Sequence, residues 1–263
     1  MTGRHPEPPR LIVVGIDAVG AEVVRVVLGH GEDPTALLAV HGWEVRRVRD
    51  VTSHGGGKHV LTMSFLVQPL APLELAAAPQ RDQDLALSLA VDGEVPEPYQ
   101  RVAAYAFVNS ARGVLMTQFS DRTNAQGQWG LPGGGLEVLE APEQAVVREV
   151  WEESGQVIEV RGLALVHTSH WVGRAPTGRL EDFHAVRVVY RASCQVPTEP
   201  VVHDVGGTTA AAAWVSPTDL DRLEVTPGWR SLLSAVVTAP DEADGPEHDE
   251  QDTEADDRAR PQP

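Results

Sequence analysis

The sequence predicts an α/β protein in two unequal parts, and three observations carry that prediction. Strand-length apolar runs alternate with helix-length stretches on both sides of a proline-containing segment. A glycine run, Gly133-Gly134-Gly135, stands between a strand signal and a helix signal. A chain of 263 residues that is 42% hydrophobic also has enough apolar side chain for a sizeable core.

Residues 1–10 are polar and proline-containing and read as a disordered end. Residues 11–68 read as a small α+β domain. Leu11-Ile12-Val13-Val14 is a buried-strand run, and residues 21–28 have helical spacing. Asp33-Pro34 supplies an N-cap and an N1 proline for a second short helix, stopped at Gly42. Residues 43–52 and 60–68 then read as strands joined across Gly55-Gly56-Gly57, with Leu61, Met63, Phe65 and Val67 on one face. Residues 69–100 carry Pro69, Pro72, Pro79, Pro96 and Pro98 and read as a linker between two separate cores. Within it, residues 85–91 fit either a strand or a short helix.

The second domain spans 101–237. Residues 103–108 and 114–119 read as strands flanking the turn Asn109-Ser110-Ala111-Arg112-Gly113. The glycine run follows, then a helix over 141–154, strands near 157–166 and 185–190, and a short strand at 213–215. Ser216-Pro217 and Thr226-Pro227 each place a capping residue before a proline, so two helices close the domain. Residues 238–263 are an acidic tail with almost no large apolar side chain, which predicts disorder.

Charge and cysteine usage narrow the function. The formal charge is −17, and residues 241–263 hold ten acids against two arginines. Duplex nucleic acid is excluded as a partner, because neutralising phosphates takes clustered Lys and Arg. A single cysteine, Cys194, excludes an internal disulfide framework, and no C-x-x-C offers a zinc knuckle. No apolar run reaches the roughly 18 residues that cross a bilayer, and residues 1–6 lack a signal-peptide layout. A soluble cytoplasmic protein with no membrane partner is the expectation.

One stretch carries the chemistry. Gly134, Glu140, Arg148, Glu149, Glu152, Glu153 and Gly155 follow the spacing G-x5-E-x7-R-E-x-x-E-E-x-G. On a helix, Glu149, Glu152 and Glu153 stand at i, i+3 and i+4, so three carboxylates crowd one face. Such crowding destabilises a helix unless a cation compensates, and oxygen ligands favour Mg²⁺ or Mn²⁺. Arg148 precedes Glu152 by one helical turn and is placed to hold a carboxylate. A solvated acidic face is the usual fate of two adjacent glutamates, but seven matched positions with a glycine-rich entry outweigh it.

This stretch resembles the box of the Nudix, or MutT-like, hydrolase family. One position departs: the residue after Gly155, usually aliphatic, is Gln156. The resemblance implies an α/β/α sandwich around a mixed sheet over 101–237. It also implies Mg²⁺-dependent hydrolysis of a nucleoside diphosphate linked to another moiety, either a nucleoside triphosphate or an ADP-ribose or dinucleotide type. By the same resemblance, Glu152 and Glu153 match metal ligands, Glu149 a further ligand or the base, and Arg148 the residue that orients them. Gly133 matches a main-chain carbonyl on the metal, and Glu140 braces the loop. One more acid is expected from a later loop, with Glu181, Asp182 and Asp204 as candidates.

Arg174 and Arg179 lie in a loop of the kind that lines such clefts and are candidates for phosphate contact. His167, His170 and His184 invite a metal reading, but positions three apart on a strand face opposite sides, so His167 and His170 are not expected to converge. Residues 15–20 lack the G-K-[ST] of a phosphate loop. The alternative to an enzyme is a ligand-sensing regulatory module with residues 11–68 as its interaction part. A homodimer is compatible with either.

Overall fold

The computed structural model describes residues 8–55, 58–71, 94–175 and 177–238. The N-terminal part is a four-stranded sheet built from β1 (Arg10–Ile16), β2 (Glu22–Val27), β3 (Trp43–Gly55) and β4 (His59–Pro69), with α1 (Pro34–Val40) between β2 and β3. Its order is β2-β1-β4-β3, with β1 and β4 parallel and the outer pairs antiparallel. The short helix forms as its sequence predicts. Asp33 Oδ1 accepts from the Ala36 amide at 2.9 Å, and Gly42, just past the end, adopts φ +84. Leu61, Met63, Phe65 and Val67 are all buried.

Residues 21–28 do not form the expected helix; they contain β2. Four valines in the six residues of β2 favour an extended chain, because branching at Cβ restricts χ1 in a helix and packs well on a pleated surface. The preceding turn settles the pairing. Asp17 Oδ1 accepts from the amides of Val19 and Ala21, and Gly20 takes φ +87, so β1 folds straight back onto β2.

The second part is a seven-stranded mixed sheet. Its strands are β5 (Glu97–Ser110), β6 (Gly113–Phe119), β7 (Trp129–Gly130), β8 (Gly133–Gly135), β9 (Glu159–Arg174), β10 (Leu180–Ser193) and β11 (Thr209–Val215). The main order is β11-β6-β5-β10-β9, with β7 on β6 and β8 on β5. β5 and β10 run parallel and the neighbouring pairs antiparallel. Two helices cover it, α2 (Pro142–Ser154) and α3 (Pro227–Thr238). The expected strands are present, and β5 already begins within the expected linker. Residues 85–91 and the tail beyond 238 lie outside the described residues. Of the two closing helices, the one at Pro217–Arg222 is only a 3-10 helix with no side-chain cap bond. In α3, Thr226 Oγ1 accepts from the Trp229 amide at 3.2 Å and supplies the cap.

Alternation along β5 and β10 builds the sandwich. Val102, Ala104, Ala106 and Val108 of β5 face one way with Val186, Val188 and Tyr190 of β10, onto Ala145, Val146 and Val150 of α2. Phe107 and Val189 face the other way, onto Trp229, Leu232, Leu233 and Val236 of α3. The α2-side cluster continues without a break into Leu11, Val13, Leu61, Met63 and Phe65 of the N-terminal sheet. Two separate cores are therefore not what forms: β3 packs on β9 and α2, and the two sheets share one core. Among the described residues no helix is long and apolar enough to cross a membrane.

Candidate active site

The site is set by how α2 begins, packs and ends. Pro142 occupies the first turn, and Gln144 Oε1 accepts from the Ala141 amide at 3.3 Å. Gly155 closes the helix in the left-handed conformation, φ +67, with its N–H on the Trp151 carbonyl. Burial of Ala145, Val146 and Val150 fixes the helix's rotation, and Glu149, Glu152 and Glu153 then face the glycine strand β8 and the loop before β11.

Arg148 is the hub. Its Nε and one terminal nitrogen grip the two oxygens of Glu140, each at 2.8 Å. The other terminal nitrogen lies 3.0 Å from both Glu149 Oε1 and Glu152 Oε2, while the nitrogen that grips Glu140 also donates to the Gly135 carbonyl at 3.2 Å. Glu140 Oε2 also accepts from the Glu137 amide and so ties the loop to the hub, the bracing role implied by the resemblance. Hydrogen bonding from Arg148 holds the Glu140 carboxyl below its usual range.

Glu153 is the most buried of the three glutamates. Its two oxygens accept from the Gly133 amide at 2.9 Å and from the Thr209 hydroxyl. Burial nevertheless dominates those two bonds, and with Glu149 and Asp204 nearby it pushes the carboxyl up to about 7. Burial also raises Glu149, against the pull of Arg148. Glycine is required at both strand positions beside them. A side chain at Gly134 would sit 2.5 Å from the Glu149 carboxyl, and Gly133, at φ +144, would meet the Ala104 carbonyl at 2.2 Å.

Gln156 causes no packing defect. It is buried, its amide nitrogen donates to the Ser154 carbonyl and the Thr198 hydroxyl, and its oxygen accepts from the Thr198 amide, each at 3.0 Å. A polar residue at the usually aliphatic position is thus fully paired.

Two clefts are bordered by Arg101, and Glu149 lines one of them. One, of about 430 Å³, is lined by Arg148, Glu149 and Gly135, by Tyr99, Gln100 and Arg101 of β5, and by Pro8, Pro9 and His59 of the N-terminal part. The other, about 90 Å³, is lined by Arg101, Tyr105, Trp171, Phe183 and Arg187. Trp171 and Phe183 are a cross-strand pair whose rings stack with centroids 4.5 Å apart. Arg101 borders both clefts and acts electrostatically on Glu149. The sequence offered one signal for this wall: Arg101, Ala103 and Tyr105 alternate on the β5 face opposite Val102 and Ala104.

The other expected residues lie elsewhere. Arg174 binds Glu94 at 2.6 Å, and Arg179 binds Glu181 and Glu97; neither lines these clefts. Of the three later acids, Glu181 is taken up by Arg179, and Asp182 lies against His170 and His30. Asp204 is the one that acts on Glu153, and its amide and that of His203 both bond the Glu152 carbonyl. His167 stays apart from His170, as strand geometry requires. His170 and His184, which the spacing argument did not compare, are cross-strand partners with ring centroids 6.3 Å apart. Burial first, then His30 and His170, hold His184 down to about 4.

A mixed-sheet sandwich that carries three glutamates and an arginine on the helix after a glycine-rich strand defines the class. The NUDIX domain family matches residues 99–236, slightly more than half of the chain, and the chain belongs to that family, whose members are hydrolases of phosphoric anhydrides. It is 29% identical over 133 residues to a nucleoside triphosphatase, NudI, of Klebsiella pneumoniae, covering 48% of this chain and 88% of the relative. Over 41 residues it is 56% identical to a MutT-like protein of Streptomyces ambofaciens, which is 16% of this chain and 27% of that one. Among solved structures, a MutT Nudix hydrolase from Burkholderia pseudomallei superposes with a TM-score of 0.41 at 30% identity, covering 52% of this chain and 98% of that one.

Proposed function

We propose that this protein is a divalent-metal-dependent pyrophosphohydrolase of nucleotides, acting on a nucleoside triphosphate or another nucleoside diphosphate derivative. The observation that carries the reading is the convergence of Glu149 and Glu152 on Arg148, with Arg148 and Glu149 lining the larger cleft and Glu153 buried on the same helix. The residues fit a metal. They are hard carboxylate oxygens, two of the three are raised by burial, and one guanidinium is shared between Glu140, Glu149 and Glu152. Glu149, Glu152, Glu153 and the Gly133 carbonyl would hold Mg²⁺, with Mn²⁺ as a substitute. The ion neutralises phosphate charge and lowers the pKa of bound water.

The chain's own groups then divide the work. Arg148 fixes Glu149 and Glu152. Glu149, raised by burial and held by Arg148, is placed to take a proton from the attacking water. Arg101 borders both clefts and suits a phosphate oxygen, while Trp171, Phe183 and Tyr105 offer ring faces to a base. Water attacks one phosphorus, the bridging oxygen leaves on the other, and the water's proton passes to the base. The triphosphatase activity in the name of the Klebsiella relative supports the nucleotide class, and the complete glutamate set favours turnover over ligand sensing.

The test is a screen of nucleoside triphosphates, ADP-ribose and dinucleotides with Mg²⁺ and Mn²⁺, with products resolved by chromatography. Metal-dependent cleavage of a diphosphate bond is expected. Absence of cleavage across the set with either metal contradicts the reading.

A further inference from the structure

The seam between the two sheets holds a second cluster of metal-ligating side chains, which phosphate chemistry does not use. His30 lies in the connection between β2 and α1, His170 on β9 and Asp182 on β10, and one donor atom from each falls within 4.8 Å of the others. His170 Nε2 meets Asp182 Oδ1 directly, and His30 Nε2 lies 3.2 Å from the same oxygen. His30 Nε2 is buried, and this long contact to Asp182 Oδ1, already engaged by His170, is its polar partner among the described residues. His184, wholly buried, stands beside them with ring centroids 5.5 Å from His30 and 6.3 Å from His170. Its Nδ1 faces Gln100 Oε1 at 3.1 Å, and the ring also lies against the Glu32 backbone.

A hydrogen-bond network alone accounts poorly for this group. Buried polar atoms in folded proteins are nearly always well paired, yet here a single carboxylate oxygen serves two imidazoles, His170 closely and His30 only at 3.2 Å. A cation among them takes up the lone pairs that hydrogen bonding leaves over. Two imidazoles and one carboxylate form a donor set for a borderline metal, Zn²⁺ before Mg²⁺, unlike the oxygen-only glutamates of α2.

We propose that His30, His170 and Asp182 bind a divalent transition-metal ion, of which Zn²⁺ best matches the ligands, and that this ion staples the N-terminal sheet to the second one. The local chain is built for close approach. Gly31 takes φ +76, and a side chain there would lie 3.2 Å from the His170 ring. Asp33 Oδ2 accepts from the Thr168 hydroxyl at 2.6 Å and fixes the same connection to β9. His184 reaches Gln100, which lines the larger cleft, so the seam site touches the cleft wall through one hydrogen bond.

The proposal does not depend on the hydrolytic reading, and its test separates the two. The full chain, stripped by a chelator, is titrated with Co²⁺ and with Zn²⁺ in a Glu152→Gln background that weakens the glutamate site. One equivalent of Co²⁺ should bind with the visible absorption of a nitrogen-ligated ion, and Zn²⁺ should raise Tm. Adding His30→Gln should abolish the absorption and weaken Zn²⁺ binding by at least about 100-fold, above the effect of losing a mere supporting partner, with circular dichroism unchanged. Asp182→Asn should do the same; if it does not fold, His30→Gln, at a half-buried turn, decides alone. No Co²⁺ absorption in the Glu152→Gln protein, or equal Zn²⁺ affinity with and without His30, overturns the site.

Discussion

Glu153 shows how one side chain ties stability to function. Its carboxyl, ordinarily near 4.5, stands at about 7 because burial outweighs the bonds from Thr209 and Gly133. The folded protein therefore holds a proton between those values that the unfolded chain has released. Stability from this group is full below pH 4.5 and is lost as pH rises through 7. In chelated protein, urea denaturation should show the wild type losing up to about 3 kcal/mol over that window relative to Glu153→Gln, since one unit is worth about 1.36 kcal/mol. Parallel pH profiles for the two proteins contradict the burial argument. Gly134→Ala tests the neighbouring position. An added methyl displaces the Glu149 carboxyl, so turnover should fall at least tenfold, or about 1.4 kcal/mol of barrier, with Tm nearly unchanged. Wild-type turnover in that variant means Glu149 can act from elsewhere.

At the scale of the element, legibility followed sequence separation. The α2 helix, its glycine-rich entry and its Gly155 stop were readable because each signal lies within a few turns of the next. The helix expected at residues 21–28 failed because spacing alone cannot weigh four valines and a turn built by Asp17. The cleft arginines were misplaced for another reason: Arg174 finds Glu94, far away in sequence, and Arg179 is taken up by Glu181 beside it together with distant Glu97. Convergence of His30, His170 and Asp182 needs both the register of β9 on β10 and the docking of a separate sheet. Gln156 supplies a test of element junctions. Replacing it with Leu restores an apolar residue after Gly155 but strands the Thr198 amide and hydroxyl. A loss of about 1–3 kcal/mol in urea denaturation is expected. A neutral or stabilising Leu shows that the polar junction is dispensable.

For the whole molecule, the shared core makes the N-terminal sheet part of the site's architecture, since Pro8, Pro9 and His59 wall the larger cleft. We propose that the chain divides at residues 69–100 in connectivity while remaining one packed body. On composition, limited proteolysis should then cut first within the proline-containing segment 69–100 or in the acidic tail, with both fragments co-eluting on gel filtration. Initial cleavage within β9 or β10, or fragments that separate without denaturant, contradicts this. Removing residues 239–263 should leave turnover within tenfold of the intact chain; a larger loss gives the acidic tail a role in catalysis.

The central claim is that the carboxylates gathered on Arg148 bind a divalent ion and perform hydrolysis. Glu152→Gln and Glu153→Gln keep side-chain volume and helix propensity while each removes a carboxylate that could bind a cation. Steady-state turnover of a substrate cleaved by the wild type, measured across a Mg²⁺ titration, tests the claim most directly. The account predicts at least a 100-fold loss of kcat/KM in each variant, about 2.7 kcal/mol of barrier, together with a weakened response to Mg²⁺ and circular dichroism like the wild type. Near-wild-type turnover and an unchanged Mg²⁺ response in both variants would contradict it.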